Sequence, residues 1–179
     1  MARSKPRVLY SRRRIARRVR EIAAAVDRAY RGRPFTVCGV LTGGAIFAAD
    51  LARAVRNDRV EIDFVKASSY GKGTVSSGRV RLTVLDPAGI AGKHVLVVED
   101  IFETGRTLAE VVRGLRARGA LSVRTAVLLL KPGRRVAGPL PDWVGFTMEE
   151  DSFVAGYGLD AGHRWRNLPD IVVPPGRKR

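Results

Sequence analysis

Two neighbouring carboxylates, Glu99 and Asp100, directly follow a short apolar run at residues 95–98. An uninterrupted apolar run of this kind is typical of a central strand in a parallel sheet. Ligands of open α/β sheets bind beyond the carboxyl ends of the strands, which is where these acids fall. The two carboxylates can accept hydrogen bonds from sugar hydroxyls or hold a hard divalent cation such as Mg²⁺. The sequence therefore predicts a polar ligand site after this strand.

The next residues have the composition of a phosphate-binding turn. Thr104, Gly105 and Thr107 open a predicted helix over residues 104–118. The N-terminus of a helix offers free N–H groups and the positive end of the helix dipole, and both suit a phosphate. Glycine lets the backbone approach that phosphate closely. Phosphate, diol and metal together describe a ribose phosphate, although spacing alone leaves open that the acids are ordinary loop residues and Thr104 an N-cap.

Strands and helices alternate along the rest of the chain. Ser11 is a typical N-cap, and apolar residues recur after it at helical spacing. A second helix is predicted at residues 45–55, after a tight turn at Gly43 and Gly44. This alternation predicts an α/β fold with a mostly parallel sheet flanked by helices. The predicted strands are residues 35–41, 61–67, 80–84, 95–98, 125–130, 143–144 and 171–173.

Length and composition predict one globular domain. A chain of 179 residues can bury one core, so residues 1–179 are taken as a single domain with basic, mobile tails at residues 1–10 and 174–179. No uninterrupted apolar run reaches membrane-spanning length. The one cysteine, Cys38, lies in an apolar run, which favours a buried structural thiol. These features predict a cytoplasmic protein without a membrane partner.

Positive charge dominates the sequence, with 33 Lys and Arg against 17 Asp and Glu and a formal net charge of +16. Such a chain attracts polyanions, including nucleic acid. The helix after Ser11 carries many arginines opposite its apolar side, where like charges three and four residues apart repel one another. Arg13, Arg17 and Arg20 are therefore candidate RNA contacts. The alternative, that these arginines form an ordinary solvated surface, stays open on charge alone.

The segment at residues 95–108 resembles the phosphoribosyl-pyrophosphate signature of type I phosphoribosyltransferases: an apolar strand, two acids, two apolar residues and a small-residue phosphate loop. From about residue 8 to residue 173 the chain is similar to the hypoxanthine-guanine branch of that family. Several separate matches occur in the family's order. They are a pyrophosphate loop at residues 41–44, a lid at 68–71 and 76–78, a base-binding hood at 144–146 and 153–160, and an arginine segment at 166–169.

The resemblance implies a type I phosphoribosyltransferase fold with a mostly parallel sheet, a small hood and a flexible lid loop. It implies transfer of a phosphoribosyl group from 5-phosphoribosyl-1-pyrophosphate (PRPP) to a hypoxanthine- or guanine-like purine base, with release of pyrophosphate. Mg²⁺ is the implied cofactor, and a homodimer or homotetramer is the implied assembly. The implied catalytic residues are Tyr70, Glu99, Asp100, Glu103 and Arg166.

Each part of the ligand has implied contacts under the same resemblance. Glu99 and Asp100 bind the ribose hydroxyls and share Mg²⁺ with Asp160. The contacts of the 5′-phosphate lie within residues 103–107, among them Thr104, Gly105, Arg106 and Thr107. The contacts of pyrophosphate are Thr42, Gly43, Ser69, Tyr70 and Arg166. The contacts of the base are Leu140, Phe153, Val154 and Asp160.

Three site positions differ from the family pattern. Glu103 stands where the family usually has an aspartate, a proposed proton acceptor for the purine N7. Leu140 is taken as the position of a family lysine that donates to the purine 6-oxo group, with Lys131 a substitute only if the chain path differs. Because leucine has no donor, a weaker preference for 6-oxopurines is expected. Thr42 stands where the pyrophosphate loop usually has a basic residue.

Two functions remain open from the sequence. The first is a purine phosphoribosyltransferase, which the acid pair, the lid, Phe153 and Arg166 favour. The second is an RNA-binding or regulatory protein of the same fold with weak or no catalysis, which the net charge and the arginines of the first helix favour. Turnover with a panel of bases distinguishes the two, and both can coexist.

Overall fold

The structure is a computed structural model that describes residues 5–69, 80–84, 89–131, 138–149 and 151–175. Within these ranges no helix is both long enough and apolar enough to cross a membrane. The elements in chain order are β1 (Arg7–Tyr10), α1 (Arg12–Tyr30), β2 (Phe35–Leu41), α2 (Ala45–Ala54), β3 (Val60–Ser69), β4 (Val80–Val84), β5 (His94–Phe102), α3 (Arg106–Arg116), β6 (Ser122–Leu130), β7 (Trp143–Thr147) and β8 (Ile171–Val173).

The central sheet has six strands in the order β4-β3-β2-β5-β6-β7. β3, β2, β5, β6 and β7 are parallel, and β4 pairs antiparallel with β3 at one side of the sheet. This confirms the mostly parallel sheet that the sequence predicts. Because the five parallel strands point the same way, they all end at one edge of the sheet, called here the carboxyl edge, and begin at the opposite amino edge.

Helices cover both faces of the sheet. Ser11 caps α1 as predicted, because its side chain accepts a hydrogen bond from the backbone N–H of Arg14 at 3.4 Å. The apolar side of α1 packs with α2 and one face of the sheet around Phe47. α3 covers the other face, where Leu108 packs in a cluster that contains Cys38. Cys38 is free and buried, which confirms the predicted burial of its thiol, and this burial raises the pKa of the thiol to about 12.

β5 is longer than the sequence predicts. It continues to Phe102 instead of ending at residue 98, because residues beyond 98 keep pairing with β6, with Glu99 opposite Val127. The acid pair Glu99 and Asp100 is therefore part of the strand and not of the loop that follows it. Pairing with β6 at Glu99 and Ile101 fixes the backbone that carries the two carboxylates.

α3 begins later than the sequence predicts, at Arg106 instead of Thr104. Gly105 precedes the helix with a φ of 77°, a left-handed conformation that the interior of an α-helix does not contain. The helix also ends earlier, at Arg116. The turn between β5 and α3 consequently contains residues 103–105.

A second, two-stranded sheet is formed by β1 and β8, which pair antiparallel with Arg7 opposite Val173. We call β1, β8 and residues 151–170 the hood. It contains residues 153–160 of the predicted hood, whereas residues 144–146 belong to β7 of the central sheet. The prediction of a mobile tail at residues 1–10 is wrong for residues 7–10, because these residues form β1. The physical reason is that Tyr10 is buried and stacks on Phe146 of β7, with ring centroids 4.2 Å apart.

Candidate active site

The residues that follow β2 and β5 meet at the carboxyl edge. β2 and β5 are neighbours in the sheet, so the turn at residues 42–44 lies beside the end of β5. The approach is close, because a Cβ atom on Gly43 would overlap the carboxylate of Asp100. Thr42 is exposed at the tip of the turn, and the Leu41–Thr42 peptide bond is cis. Only glycine therefore fits at position 43 with Asp100 in its present place.

Glu99 and Asp100 are carboxyl groups that are largely removed from water. Glu99 is only 6% exposed, and burial, followed by the negative charge of Asp100, raises its pKa to about 8. Burial also raises the pKa of Asp100, although the backbone N–H of Ile101 donates to its carboxylate at 3.0 Å. Folding alone does not favour a buried acid, Glu99, beside a partly buried one, Asp100, so such a pair indicates a site prepared for a polar or cationic ligand.

The hood brings another carboxylate and an arginine to the same edge. Arg166 Nη2 donates to Asp160 Oδ1 at 2.8 Å. Both groups act on Asp100, with Arg166 lowering its pKa and Asp160 raising it. Arg166 Nη1 also donates to the carbonyl oxygen of Gly158 at 2.6 Å, and a Cβ on Gly158 would overlap the carbonyl oxygen of Gly43. The turn after β2, the end of β5 and the hood therefore converge on one place.

The turn at residues 103–105 leads into α3 at this edge. Thr104 Oγ1 accepts a hydrogen bond from the backbone N–H of Arg106 at 3.4 Å, and no side chain caps the helix. The first turn of α3 contains no acidic residue, so its N–H groups keep the positive potential that attracts an anion. Thr107 is partly exposed in the same turn. This arrangement fits the phosphate turn that the sequence predicts.

Lys131 reaches the site from the neighbouring strand, directly after β6. Its backbone N–H donates to the carbonyl oxygen of Phe102 at 2.9 Å. Its Nζ lies 3.2 Å from Asp151 and 3.8 Å from Glu103, and the side chain is only 12% exposed. A largely buried ammonium therefore stands beside the carboxylate that the resemblance connects with the base.

The structure corrects the assignment of Leu140 to base binding. Leu140 is 57% exposed and stands just before β7, at the amino edge. Nearby, Asp142 accepts hydrogen bonds from Thr125 at 2.8 and 3.0 Å. β6 and β7 are parallel, so a residue before β7 lies at the edge opposite to Lys131, which follows β6. The rule that sites lie beyond strand ends could have selected Lys131 from the sequence.

For four other predicted site residues the structure gives a position in the fold at most, and no contact with a ligand. Val154 is buried in the hood and Phe153 is partly exposed beside it. Ser69 is the last residue of β3, whereas Tyr70 and the rest of the predicted lid up to residue 79 lie outside the described residues. The contacts assigned to these four residues stay predictions.

The donor set at the carboxyl edge fits Mg²⁺. Magnesium is usually held by one or two carboxylates together with substrate oxygens and water, and not by an all-protein cage. Glu99, Asp100 and Asp160 offer such carboxylates, and a cation would offset the burial that raises the pKa of the first two. Within the described ranges no three His, Cys, Asp or Glu side chains form a metal-binding group by themselves. An ion here would therefore be shared with the substrate.

Known proteins match this chain over most of its length. The family model described as the phosphoribosyl transferase domain matches residues 8–161. The hypoxanthine-guanine phosphoribosyltransferase of Bacillus subtilis is 40% identical over 167 residues, which cover 93% of this chain and 92% of that protein. The chain belongs to the hypoxanthine-guanine phosphoribosyltransferase family. This membership supports the enzyme and gives no support to a non-catalytic RNA-binding protein.

Two further relatives agree with this family membership. A crystal structure of a hypoxanthine phosphoribosyltransferase from Staphylococcus aureus superposes with a TM-score of 0.85 at 37% identity, covering 93% of this chain and 90% of that one. The bifunctional protein TilS/HprT of Listeria monocytogenes is 42% identical over 167 residues, but this chain spans only 26% of it. The structural match confirms that this family member has the type I phosphoribosyltransferase fold.

One contact that holds the hood in place was not foreseen from the sequence. Tyr157 Oη donates to Asp50 Oδ2 of α2 at 2.6 Å, and burial together with this bond raises the pKa of the tyrosine. Asp50 also pairs with Arg53. Because α2 follows directly on the turn at residues 42–44, the bond ties the hood to that turn. A tyrosine and an aspartate 107 residues apart give no signal in a single sequence.

Replacing Tyr157 by phenylalanine is expected to lower the free energy of unfolding of this family member by about 1–2 kcal/mol, because a hydrogen bond to a carboxylate is lost. Urea-induced unfolding measures the change. The matched control is Tyr10→Phe, since the Tyr10 hydroxyl lies 3.5 Å from the carbonyl oxygen of Thr147 and makes only a weak bond. If both variants lost the same free energy of unfolding, the hydrogen bond to Asp50 would not be the cause of the loss in Tyr157→Phe.

The raised pKa of Glu99 predicts a pH-dependent stability in the absence of ligand and Mg²⁺. Its pKa rises from an ordinary value of 4.5 to about 8 on folding, so the folded state holds the proton more tightly than the unfolded chain. The free energy of unfolding is therefore expected to fall by a few kcal/mol as the pH rises from about 5 to 8. Urea unfolding across that range measures it. Glu99→Gln should flatten the profile, and an unchanged profile would contradict the assignment.

Proposed function

We propose that this chain transfers a phosphoribosyl group from PRPP to a 6-oxopurine, with release of pyrophosphate. The observation that carries the proposal is the convergence of the acid pair Glu99 and Asp100 with Gly43, Asp160 and Arg166 at the carboxyl edge. Buried acids suit a diol and a cation, an arginine suits pyrophosphate, and the adjoining helix N-terminus suits a phosphate. PRPP combines these three chemical features in one molecule.

The residues divide the substrate among them in the proposed complex. Glu99 and Asp100 accept hydrogen bonds from the ribose hydroxyls and, with Asp160, hold Mg²⁺. The N–H groups and hydroxyls of residues 103–107 bind the 5′-phosphate. The backbone of Thr42 and Gly43, with Arg166, binds pyrophosphate, so a basic side chain at position 42 is not needed. Ser69 and Tyr70 close over the site, and Phe153 and Val154 contact the base.

The reaction is a displacement at the anomeric carbon, in which the bond to pyrophosphate breaks as a bond to a purine ring nitrogen forms. The chain supplies position and charge instead of a covalent intermediate. Arg166 offsets the negative charge that grows on departing pyrophosphate, and bound Mg²⁺ would add positive charge there. Glu103 accepts the proton that leaves the purine ring. Ser69 and Tyr70, by closing over the site, exclude water and protect the reacting sugar from hydrolysis.

Lys131 supplies the donor for the purine 6-oxo group in this proposal. Its ammonium is largely buried at the carboxyl edge and lies beside Glu103, which supports this role, whereas Leu140 lies at the amino edge. Preference for 6-oxopurines over adenine is therefore expected to be retained. A buried ammonium that loses its acceptor is costly, which makes such a contact discriminate strongly between bases.

The function is tested by nucleotide formation from PRPP and Mg²⁺ with hypoxanthine, guanine, xanthine and adenine in separate reactions. Turnover with hypoxanthine or guanine, and none with adenine, is the expected result. No turnover with any base, while PRPP binds in calorimetry, would overturn the proposal.

Lys131→Gln is expected to raise KM for hypoxanthine by about 10- to 100-fold, because one hydrogen bond from a charged donor is lost. KM for PRPP should change little, and steady-state kinetics measures both. The matched control is Leu140→Ala, which should leave both constants unchanged. The reverse pattern would restore Leu140 to the base site and remove Lys131 from it.

Assembly and location complete the proposal. The family resemblance supports a homodimer or homotetramer, which sedimentation velocity at working concentration would detect, and a purely monomeric protein would contradict it. The buried, free thiol of Cys38 is consistent with a reducing cytoplasm.

A further inference from the structure

The outward side of α1 carries a row of four arginines, Arg13, Arg17, Arg20 and Arg28, called here the arginine row. At 100° per residue these positions fall on one side of the helix, and all four are exposed. The opposite side of α1 is buried in the core through Ile15 and its apolar neighbours. The row extends over about 22 Å of the helix.

The charge of the row is only slightly neutralised. The only acids of α1 are Glu21 and Asp27. Glu21 lies 3.7 Å from Arg17 and 2.8 Å from Arg18, and Asp27 accepts a hydrogen bond from the backbone N–H of Arg56. Arg13, Arg20 and Arg28 have no carboxylate within ion-pair distance in the part of the chain that the structure describes. Like charges this close weaken the helix, so a bound polyanion would relieve their repulsion.

The surroundings of the arginine row disfavour three of the partners that this surface could bind. An anionic membrane is disfavoured, because the apolar side of α1 is buried and cannot enter lipid. A second copy of this face is disfavoured, because arginine would meet arginine. Single-stranded nucleic acid is disfavoured, because it is bound by stacking on aromatic side chains and every aromatic residue that the structure describes is buried or partly buried. A nucleic-acid duplex, whose phosphates face outward, needs no such stacking.

We propose that the arginine row binds the phosphate backbone of double-stranded nucleic acid without reading its bases. The side chains of the row are long, cationic and free to turn toward phosphates, and aliphatic residues such as Ala16 and Ala24 are the exposed apolar groups between them. Affinity should therefore depend steeply on salt and little on sequence. Because RNA and DNA duplexes present the same phosphate chemistry, either can supply it. The inference is independent of the transferase reaction.

The test compares two double variants that lower the net charge equally. Arg13→Glu with Arg20→Glu changes the row, and Arg113→Glu with Arg116→Glu changes exposed arginines of α3 on the other face of the sheet. Fluorescence anisotropy measures binding to labelled RNA and DNA duplexes and to the single strands, over a range of salt concentrations. Circular dichroism and nucleotide formation show that both variants remain folded.

The row variant is expected to bind duplexes at least about tenfold more weakly, and its slope of log affinity against log salt should fall by about 2. The α3 variant should lose less than about threefold, since net charge alone acts through a screened field. Tighter binding of one duplex type identifies the source of the phosphates. Equal losses in the two variants, stronger binding to single strands, or binding only to anionic vesicles would overturn the proposal.

Discussion

Asp100→Asn is expected to lower kcat/KM for PRPP by about 100- to 1,000-fold, because charge-assisted contacts to the ribose hydroxyls and Mg²⁺ are lost. The same change should leave the fold as stable as before or more stable. Burial raises the pKa of Asp100, which means that its ionised form is costly in the folded state near neutral pH. Steady-state kinetics and urea unfolding measure the two effects, and their opposite signs distinguish a ligand-binding carboxylate from a structural one.

The matched control for this prediction is Asp58→Asn. Asp58 is exposed just before β3 at the amino edge, so the same chemical change there should affect neither kcat/KM nor stability. A loss of activity in Asp100→Asn that is matched by an equal loss of stability would contradict the role proposed for Asp100. In that case the carboxylate would hold the turn at residues 42–44 instead of substrate.

Gly158→Ala is expected to have the second large effect, a fall of kcat/KM by about 100-fold or more. Two costs combine at this position. The φ of Gly158 is +98°, which an alanine adopts only with strain, and the new Cβ would overlap the carbonyl oxygen of Gly43. To relieve that overlap, the hood must move away from the turn at residues 42–44 and carry Arg166 with it. A displacement of about 1 Å is enough to reduce catalysis a hundredfold.

Gly92→Ala is the control for backbone strain alone. Gly92 has a φ of +72°, but no atom lies within 4 Å of the position that its Cβ would take. This variant should lose about 1 kcal/mol of unfolding free energy and keep its kcat/KM. If Gly92→Ala and Gly158→Ala reduced stability equally and both kept full activity, contact between the hood and the turn at residues 42–44 would not matter for catalysis.

Local patterns were sufficient for much of the fold. Ser11 and the apolar spacing after it predicted α1 correctly, because N-capping and helical periodicity act within a few residues of the chain. The apolar run at residues 95–98 predicted a central strand for the same reason. The predicted end of that strand was wrong, since Glu99 is polar and yet pairs with Val127 of β6. Pairing with a distant strand overrode the local preference for a loop.

In the candidate site, too, some features follow from local sequence and others depend on strand pairing. The acids, the glycine and the threonines of residues 99–107 predicted a ribose-phosphate site from their own chemistry, and that assignment stays a prediction. The donor to the base is harder to predict from the sequence, because family order favours Leu140 whereas Lys131 is the residue at the carboxyl edge. Choosing between them requires the direction of β6 and β7, which is set by strand pairing and not by either residue's neighbours.

The sequence by itself determined the types of side chain available for chemistry and the elements that carry them, because residue chemistry, capping and periodicity are local properties. Only the tertiary structure decided which of those side chains meet. Gly43 reaches Asp100 because β2 and β5 lie side by side, and Tyr157 reaches Asp50 because the hood folds back on α2. These contacts join residues far apart in the chain, and burial of one shared core fixes them.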